Sequence, residues 1–213
     1  AQAMPGGRVS IMVAIADVDS LVHQGTALDK HAQHNTTSVY TAAKIYPMIP
    51  DLLSTNLTSL KLNEERMAIV IEMELNMDGS LFETSIYRAR VYNHAKLAYN
   101  NIAPWLDGKG VVPKTVSSVP GLAENLRLQD KAAQSLKKLR HVNGALTLET
   151  LEAKPIFDDD QIKTLEIEEK NRAKELIEDF MIAANGVTAR YLSENGFPSI
   201  RRVVRTPKRW ERI

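Results

Sequence analysis

Several side chains in this 213-residue chain are of types that could do chemistry. Asp17 ends the apolar run "RVSIMVAIAD" (8–17), and Asp19 follows two residues later. Alternate residues at a strand end share a face, and strand ends are common site positions. Two acids alone are nonetheless a poor set for a hard cation, which needs more converging oxygens. The run "DDD" (158–160) falls on an expected hairpin turn, where adjacent carboxylates point apart, and it reads as a solvated turn. His31 and His34 stand at helical i, i+3 spacing without a third ligand nearby, which reads as a surface pair. No Gly-rich phosphate loop, Ser-centred elbow or His/Asp pairing is visible. With zero cysteines, thiolate catalysis, thiolate zinc sites and disulfides are all excluded.

Aromatic and buried polar positions offer more. Tyr40 and Tyr46 lie in "HNTTSVYTAAKIYPMIP" (34–50), which has no clean helical or strand period and is expected to be an irregular segment pinned by Pro47 and Pro50. Tyr99 falls on the stripe Ala95, Ala98, Tyr99, Ile102, which periodicity alone reads as a core ring. Glu178 precedes "FMIAA" (180–184), a helical turn apolar all round, so burial is expected there. A buried carboxylate needs a partner: Lys174, four residues back, or a ligand hydroxyl.

The elements that must position these residues follow from periodicity. The run 8–17 predicts a strand buried on both faces. Residues 27–35 predict a short helix capped by Thr26 or entered from Gly25. Residues 50–60 predict a helical turn and loop. In 67–75, Met67, Ile69, Ile71, Met73 and Leu75 alternate with Glu72 and Glu74, the pattern of a half-buried strand. An Asp-Gly turn at 76–80 returns it to 81–92, with a phase shift at Ile86/Tyr87 that predicts a bulge. Helices are expected over 95–106 (disturbed by Pro104), 122–142 and 171–196, the last ending at Gly196. A connection at 107–120, a hairpin at 152–169 and a short strand at 199–204 complete the order. Mixed helices and antiparallel hairpins make the class α+β: a mixed, largely antiparallel sheet with packed long helices.

Bulk properties bound the function. The formal net charge is +1, yet 201–212 carries six Arg or Lys against one Glu, while 149–179 is acid-rich. The basic run could bind phosphates or pair with that acidic stretch. No apolar run approaches the ~18 to 20 residues of a membrane helix, and no signal-peptide core opens the chain. These features and the absent cysteines set a cytoplasmic expectation, with no membrane partner. The chain opens almost directly into a buried strand and closes on a helix start, Thr206-Pro207, so an excerpt of a larger domain is expected.

The order of short blocks resembles one family. "VAIADV" (13–18), "GTALDKHA" (25–32), "TSVY" (37–40), "YPMIP" (46–50), "LSTNLTSL" (53–60), "MELNMDG" (73–79) and "HAKLAY" (94–99) are similar to the catalytic domain of the ribonuclease II/R (RNB) family. "NGALTLETLEAKPIF" (143–157), "AKELIEDFMIAAN" (173–185) and "FPSIRRVVRTP" (197–207) continue the match, which spans essentially the whole chain. The resemblance implies a single incomplete RNB domain over 1–213. Its parent would be a processive 3′→5′ exoribonuclease that uses Mg²⁺ to hydrolyse single-stranded RNA to nucleoside monophosphates. The family's metal-binding aspartates precede the "VAIAD" strand, and its arginine-bearing block lies downstream. No position here matches either, so this segment is expected to bind no metal and to be inactive alone. It is expected to work with single-stranded RNA and the remainder of its own polypeptide.

What the resemblance transfers residue by residue is RNA contact. Tyr40 matches the tyrosine that stacks on the 3′-terminal nucleotide; Tyr99 and Glu178 match residues implicated in telling ribose from deoxyribose. Arg201, Arg202 and Arg205 are candidate phosphate or subdomain contacts. The family usually clamps the terminal base from its other side with a phenylalanine, where this chain has Leu148, and many members have a histidine at Val204. The other expectation, from a different class, is a non-catalytic RNA-binding or scaffold protein that kept this fold.

Overall fold

The computed structural model describes residues 1–41, 44–146, 153–158, 161–167 and 171–201. Two-residue strand β1 (Gln2–Ala3) pairs antiparallel with β2 (Val9–Ala16). Helix α1 (Ala27–Asn35) follows and starts as expected: Thr26 Oγ1 accepts from the Asp29 amide at 3.3 Å. The Asp29 carboxylate in turn accepts from the Gly25 amide at 2.8 Å, so the helix entry is held from both directions. Strands β3 (Val39–Tyr40) and β4 (Ile45–Tyr46) form a minimal hairpin. A single π-helical turn, Leu52–Leu57, leads to the long strands β5 (Glu65–Leu75) and β6 (Leu81–Tyr92).

Helices α2 (Tyr99–Leu106), α3 (Lys114–Ser117) and α4 (Leu122–Val142) come next, then the hairpin of β7 (Ala153–Asp158) and β8 (Gln161–Ile167), and finally α5 (Arg172–Glu194). The main sheet has the order β1-β2-β5-β6, antiparallel throughout. This is the α+β architecture the hairpin spacing implies.

The core forms where α4 and α5 lie on one face of that sheet. Ile11, Ile71, Met73 and Leu75 meet Ala132, Ala133 and Leu136 of α4 and Leu176, Phe180, Ala184 and Val187 of α5. On α5 these apolar positions recur every three or four residues, one stripe of a 3.6-residue helix. A ring buried as fully as Phe180 contributes about 2–3 kcal/mol from apolar area alone. A second cluster joins Ile102, Ala103 and Trp105 of α2 to Val116 of α3, Leu126 of α4 and Ala173 of α5.

Burial does not follow strand composition alone. β2 is not buried on both faces: Ile11 is covered, but Met12 is 47% and Ile15 40% exposed. Met12 points away from the helices, and Ile15, although it shares a face with Ile11, lies towards the uncovered strand end. β5 departs the other way. Met73 and Leu75 are buried as expected and Met67 is exposed, while Ala68 and Val70 are buried on the face read as polar. On that face Glu72 accepts from Ser10 Oγ and Tyr87 Oη, and Glu74 pairs with Arg8 at 2.8 Å.

The bulge sits at the turn end of the ladder, where the register slips between Glu74↔Glu83 and Leu75↔Leu81, and pairing through Ile86 and Tyr87 is regular. The phase shift there reflects a strand exposed along most of both faces. α2 begins four residues later than expected, at Tyr99. The connection 107–120 contains α3, whose Val116 is fully buried. Ser199, Ile200 and Arg201 are not in a strand; the rest of the expected strand, 202–204, lies outside the described residues.

Candidate nucleic-acid interface

Tyr40 is presented by a pinned hairpin instead of an irregular segment. Asn35, the last residue of α1, donates through Nδ2 to the Met48 carbonyl at 3.0 Å, and the Met48 amide donates to Ser38 Oγ at 2.9 Å. The first ties the open end of the ribbon to α1, and the second closes that end. At the closed end Thr41 Oγ1 both donates to the Lys44 carbonyl (2.6 Å) and accepts from its amide (2.9 Å). Two-residue strands are too short to show a period, which is why the sequence pattern concealed them. Tyr40 is 75% exposed, and its hydroxyl has no partner among the described residues. A tyrosine held outside the core by backbone pairing offers a π-face with little further ordering cost.

Tyr99 is the first residue of α2 and is 44% exposed, so it is not the core ring that periodicity implied. Ala95 and Ala98 precede the helix, and the supposed stripe does not exist. Tyr99 lines a cleft of about 420 Å³ with Leu97, Ile102, Leu126, Leu176 and Ile177, between α2, α4 and α5. Glu178 follows Ile177 and is exposed rather than buried. Asn171, the N-cap of α5, donates to Asn100 Oδ1 at 3.3 Å and ties the start of α5 to α2. The fold thus brings Tyr99 and the neighbourhood of Glu178 together beside one cleft, whereas Tyr40 stands on a separate ribbon.

The buried acid of α5 is Asp179, 3% exposed, one residue from the expected position. Burial raises its pKa above the ordinary carboxylate value, against the opposing pull of Arg140, whose Nη2 lies 2.8 Å away. Lys137–Glu175 (3.1 Å) and Arg172–Asp130 (2.7 Å) extend the seam between α4 and α5. A signal was present: Asp179 stands three residues after Leu176 on the Leu176–Phe180–Ala184 stripe, and Glu178 does not.

Asp17 and Asp19 are brought together, but by a cation of the protein's own. Arg88 Nε lies 2.9 Å from Asp17 and Nη2 2.6 Å from Asp19. Among the described residues no group of three or more His, Asp or Glu stands together as a metal-ion ligand set. His31 Nε2 lies 3.0 Å from Asn35 Nδ2, an exposed contact on α1. Arg201 donates through Nη2 to the Ala189 carbonyl at 3.0 Å, which ties it back to α5. Leu148, Arg202, Val204, Arg205, Asp159 and Asp160 lie outside the described residues. No helix among the described residues is long and apolar enough to cross a membrane.

The family model for the RNB domain matches residues 1–213. Ribonuclease R of Vibrio cholerae is 34% identical over 207 residues, 97% of this chain and 25% of the relative's length. The chain therefore spans about a quarter of that relative. Among solved structures, Mycoplasma genitalium RNase R in complex with ribose-methylated single-stranded RNA superposes with a TM-score of 0.84 at 24% identity, over 92% of this chain and 30% of that one. Yeast Ssd1, described as a pseudonuclease, superposes at 0.58 with 16% identity, over 83% of this chain and 21% of that one. With a family model matched from end to end and the same arrangement of sheet and helices in RNase R, this chain belongs to the RNB-domain family.

Proposed function

We propose that the chain is the RNA-holding part of an incomplete RNB domain, and that its parent is a cytoplasmic 3′→5′ exoribonuclease hydrolysing single-stranded RNA to nucleoside monophosphates. The observation that carries this reading is the exposed Tyr40 ring on its pinned ribbon. Every base has a π-face, so a stacking platform grips any sequence, as processive degradation requires. Tyr99, which lines the cleft, and Glu178, next in sequence to its lining residue Ile177, then read the sugar: a phenol and a carboxylate are both suited to hydrogen-bond a 2′-hydroxyl, which DNA lacks. Hydrolysis by this family calls on Mg²⁺, for which the described residues offer no converging carboxylates. In this reading the metal and the cutting step are supplied by polypeptide outside residues 1–213.

The test is RNA affinity. Tyr40→Ala is expected to weaken binding of a fluorescein-labelled decauridylate by roughly 5- to 150-fold, the equivalent of about 1–3 kcal/mol for one stacked base. Its melting temperature should stay within a degree of wild type, because the ring is outside the core. Unchanged affinity would remove the stacking role. The purified chain is expected to release no mononucleotides with Mg²⁺, and robust release would refute its inactivity. The second reading, a non-catalytic RNA-binding or scaffold protein, is favoured by one observation, the same fold in a pseudonuclease. The gene sequence 5′ of residue 1 separates the two: an aspartate cluster supports the nuclease, and its lack supports the scaffold.

A further inference from the structure

The β3–β4 ribbon has two faces, and the opposite face from Tyr40 carries a second aromatic group. In the register, Tyr40 opposes Ile45 and Val39 opposes Tyr46. Residues directly opposed across an antiparallel pair share a face and neighbours along a strand alternate, so Tyr40 and Tyr46 project from opposite sides. Tyr46 is 53% exposed, and its hydroxyl has no partner among the described residues. Lys44, two residues earlier and on the same face, holds Nζ 5.2 Å from the centroid of the Tyr46 ring. Among the described residues no carboxylate pairs with that ammonium, so its charge is available.

We propose that Tyr46 and Lys44 form a second nucleotide contact for single-stranded RNA, with Tyr46 stacking on a base and Lys44 neutralising the adjoining phosphate. This rests on the reading of Tyr40 as a stacking platform and extends it to the other face. An exposed ring with a free cation beside it matches both components of a nucleotide, its π-face and its phosphate. Side chains on the two faces of a ribbon are separated by on the order of 10 Å, more than one nucleotide step, so the two bases held are not adjacent in sequence. The strand passes around the ribbon, which becomes a wedge between two segments of one RNA. Both ends of the wedge are braced for that load by the Asn35–Met48 and Thr41–Lys44 bonds.

The experiment measures dissociation constants of the whole chain for fluorescein-labelled decauridylate across a salt series. Tyr46→Ala is expected to bind roughly tenfold more weakly, and Tyr46→Phe, which keeps the ring, within about twofold of wild type. Lys44→Met is expected to flatten the slope of log affinity against log salt by about 0.7, the increment for one phosphate contact on a single strand. Lys44 is exposed, so this variant reads the contact even if Tyr46→Ala folds poorly. If Tyr40→Ala weakens binding while Tyr46→Ala and Lys44→Met match wild type, the second contact is refuted and the first stands. If neither tyrosine matters, both are refuted.

Discussion

Gly79, in the β5–β6 turn, couples the sheet to the helix seam, and replacing it separates two physical costs. Its φ is +87°, and a Cβ built there would lie 2.5 Å from the Ser135 carbonyl oxygen and 2.6 Å from its carbon. Those are backbone atoms of α4 and cannot rotate aside. The left-handed backbone alone costs a non-glycine residue about 1–2 kcal/mol. Forcing the turn away from α4 adds about 1–3 kcal/mol, as overpacking does in a filled core. Gly108 supplies the control: its φ is +73°, and nothing lies within 4 Å of a built Cβ. Gly108→Ala should therefore show only the conformational cost. In urea unfolding, Gly79→Ala is expected to lose about 2–5 kcal/mol and Gly108→Ala about 1–2 kcal/mol. At roughly 2–4 °C per kcal/mol for a chain of this size, the Tm gap between them is several degrees. Equal losses for the two variants would show that the turn does not abut α4, and the account of how sheet and helices lock together would fail.

Removing the carboxylate in Asp179→Ala strands the Arg140 guanidinium against α5 and is expected to cost about 2–4 kcal/mol by urea unfolding, somewhat under the value for a fully buried pair because Arg140 is partly exposed. A pH series on Asp179→Asn checks the sign of the burial effect. Because Asp179 is raised above 3.8 in the folded chain, that state holds the proton more tightly than the unfolded one, and ionisation costs stability as pH climbs through the raised value. The wild type's advantage over Asp179→Asn should thus shrink as pH rises from about 4; Arg140 and Lys137 oppose the shift and Glu178 reinforces it. If Tyr99 and Glu178 read the sugar as proposed, Tyr99→Ala and Glu178→Gln are expected to lower the ratio of decauridylate to deoxyuridylate affinity several-fold, with binding to the DNA oligomer little changed. Equal losses on both ligands would instead assign these residues to general binding.

Much of this molecule was legible because periodicity is a local property. The span of α4 matches its apolar recurrence residue for residue, Thr26 caps α1 as its type requires, and the Asp-Gly turn joins β5 to β6. Ordered family blocks single out Tyr40, Tyr99 and Glu178 as RNA contacts by resemblance alone, and the binding measurements above are their test. Tertiary packing decided the rest, because burial belongs to pairs of surfaces and not to a segment. β2 is apolar on both sides, yet helices cover only part of one. α5 is apolar all round near Ile182, yet its orientation on α4 buries Asp179 and leaves Glu178 in solvent. Asp17 and Asp19 gained a cation only because β6 carries Arg88 across the sheet to them. The opposite faces of the β3–β4 ribbon emerged only from its register, since strands of two residues have no period to read.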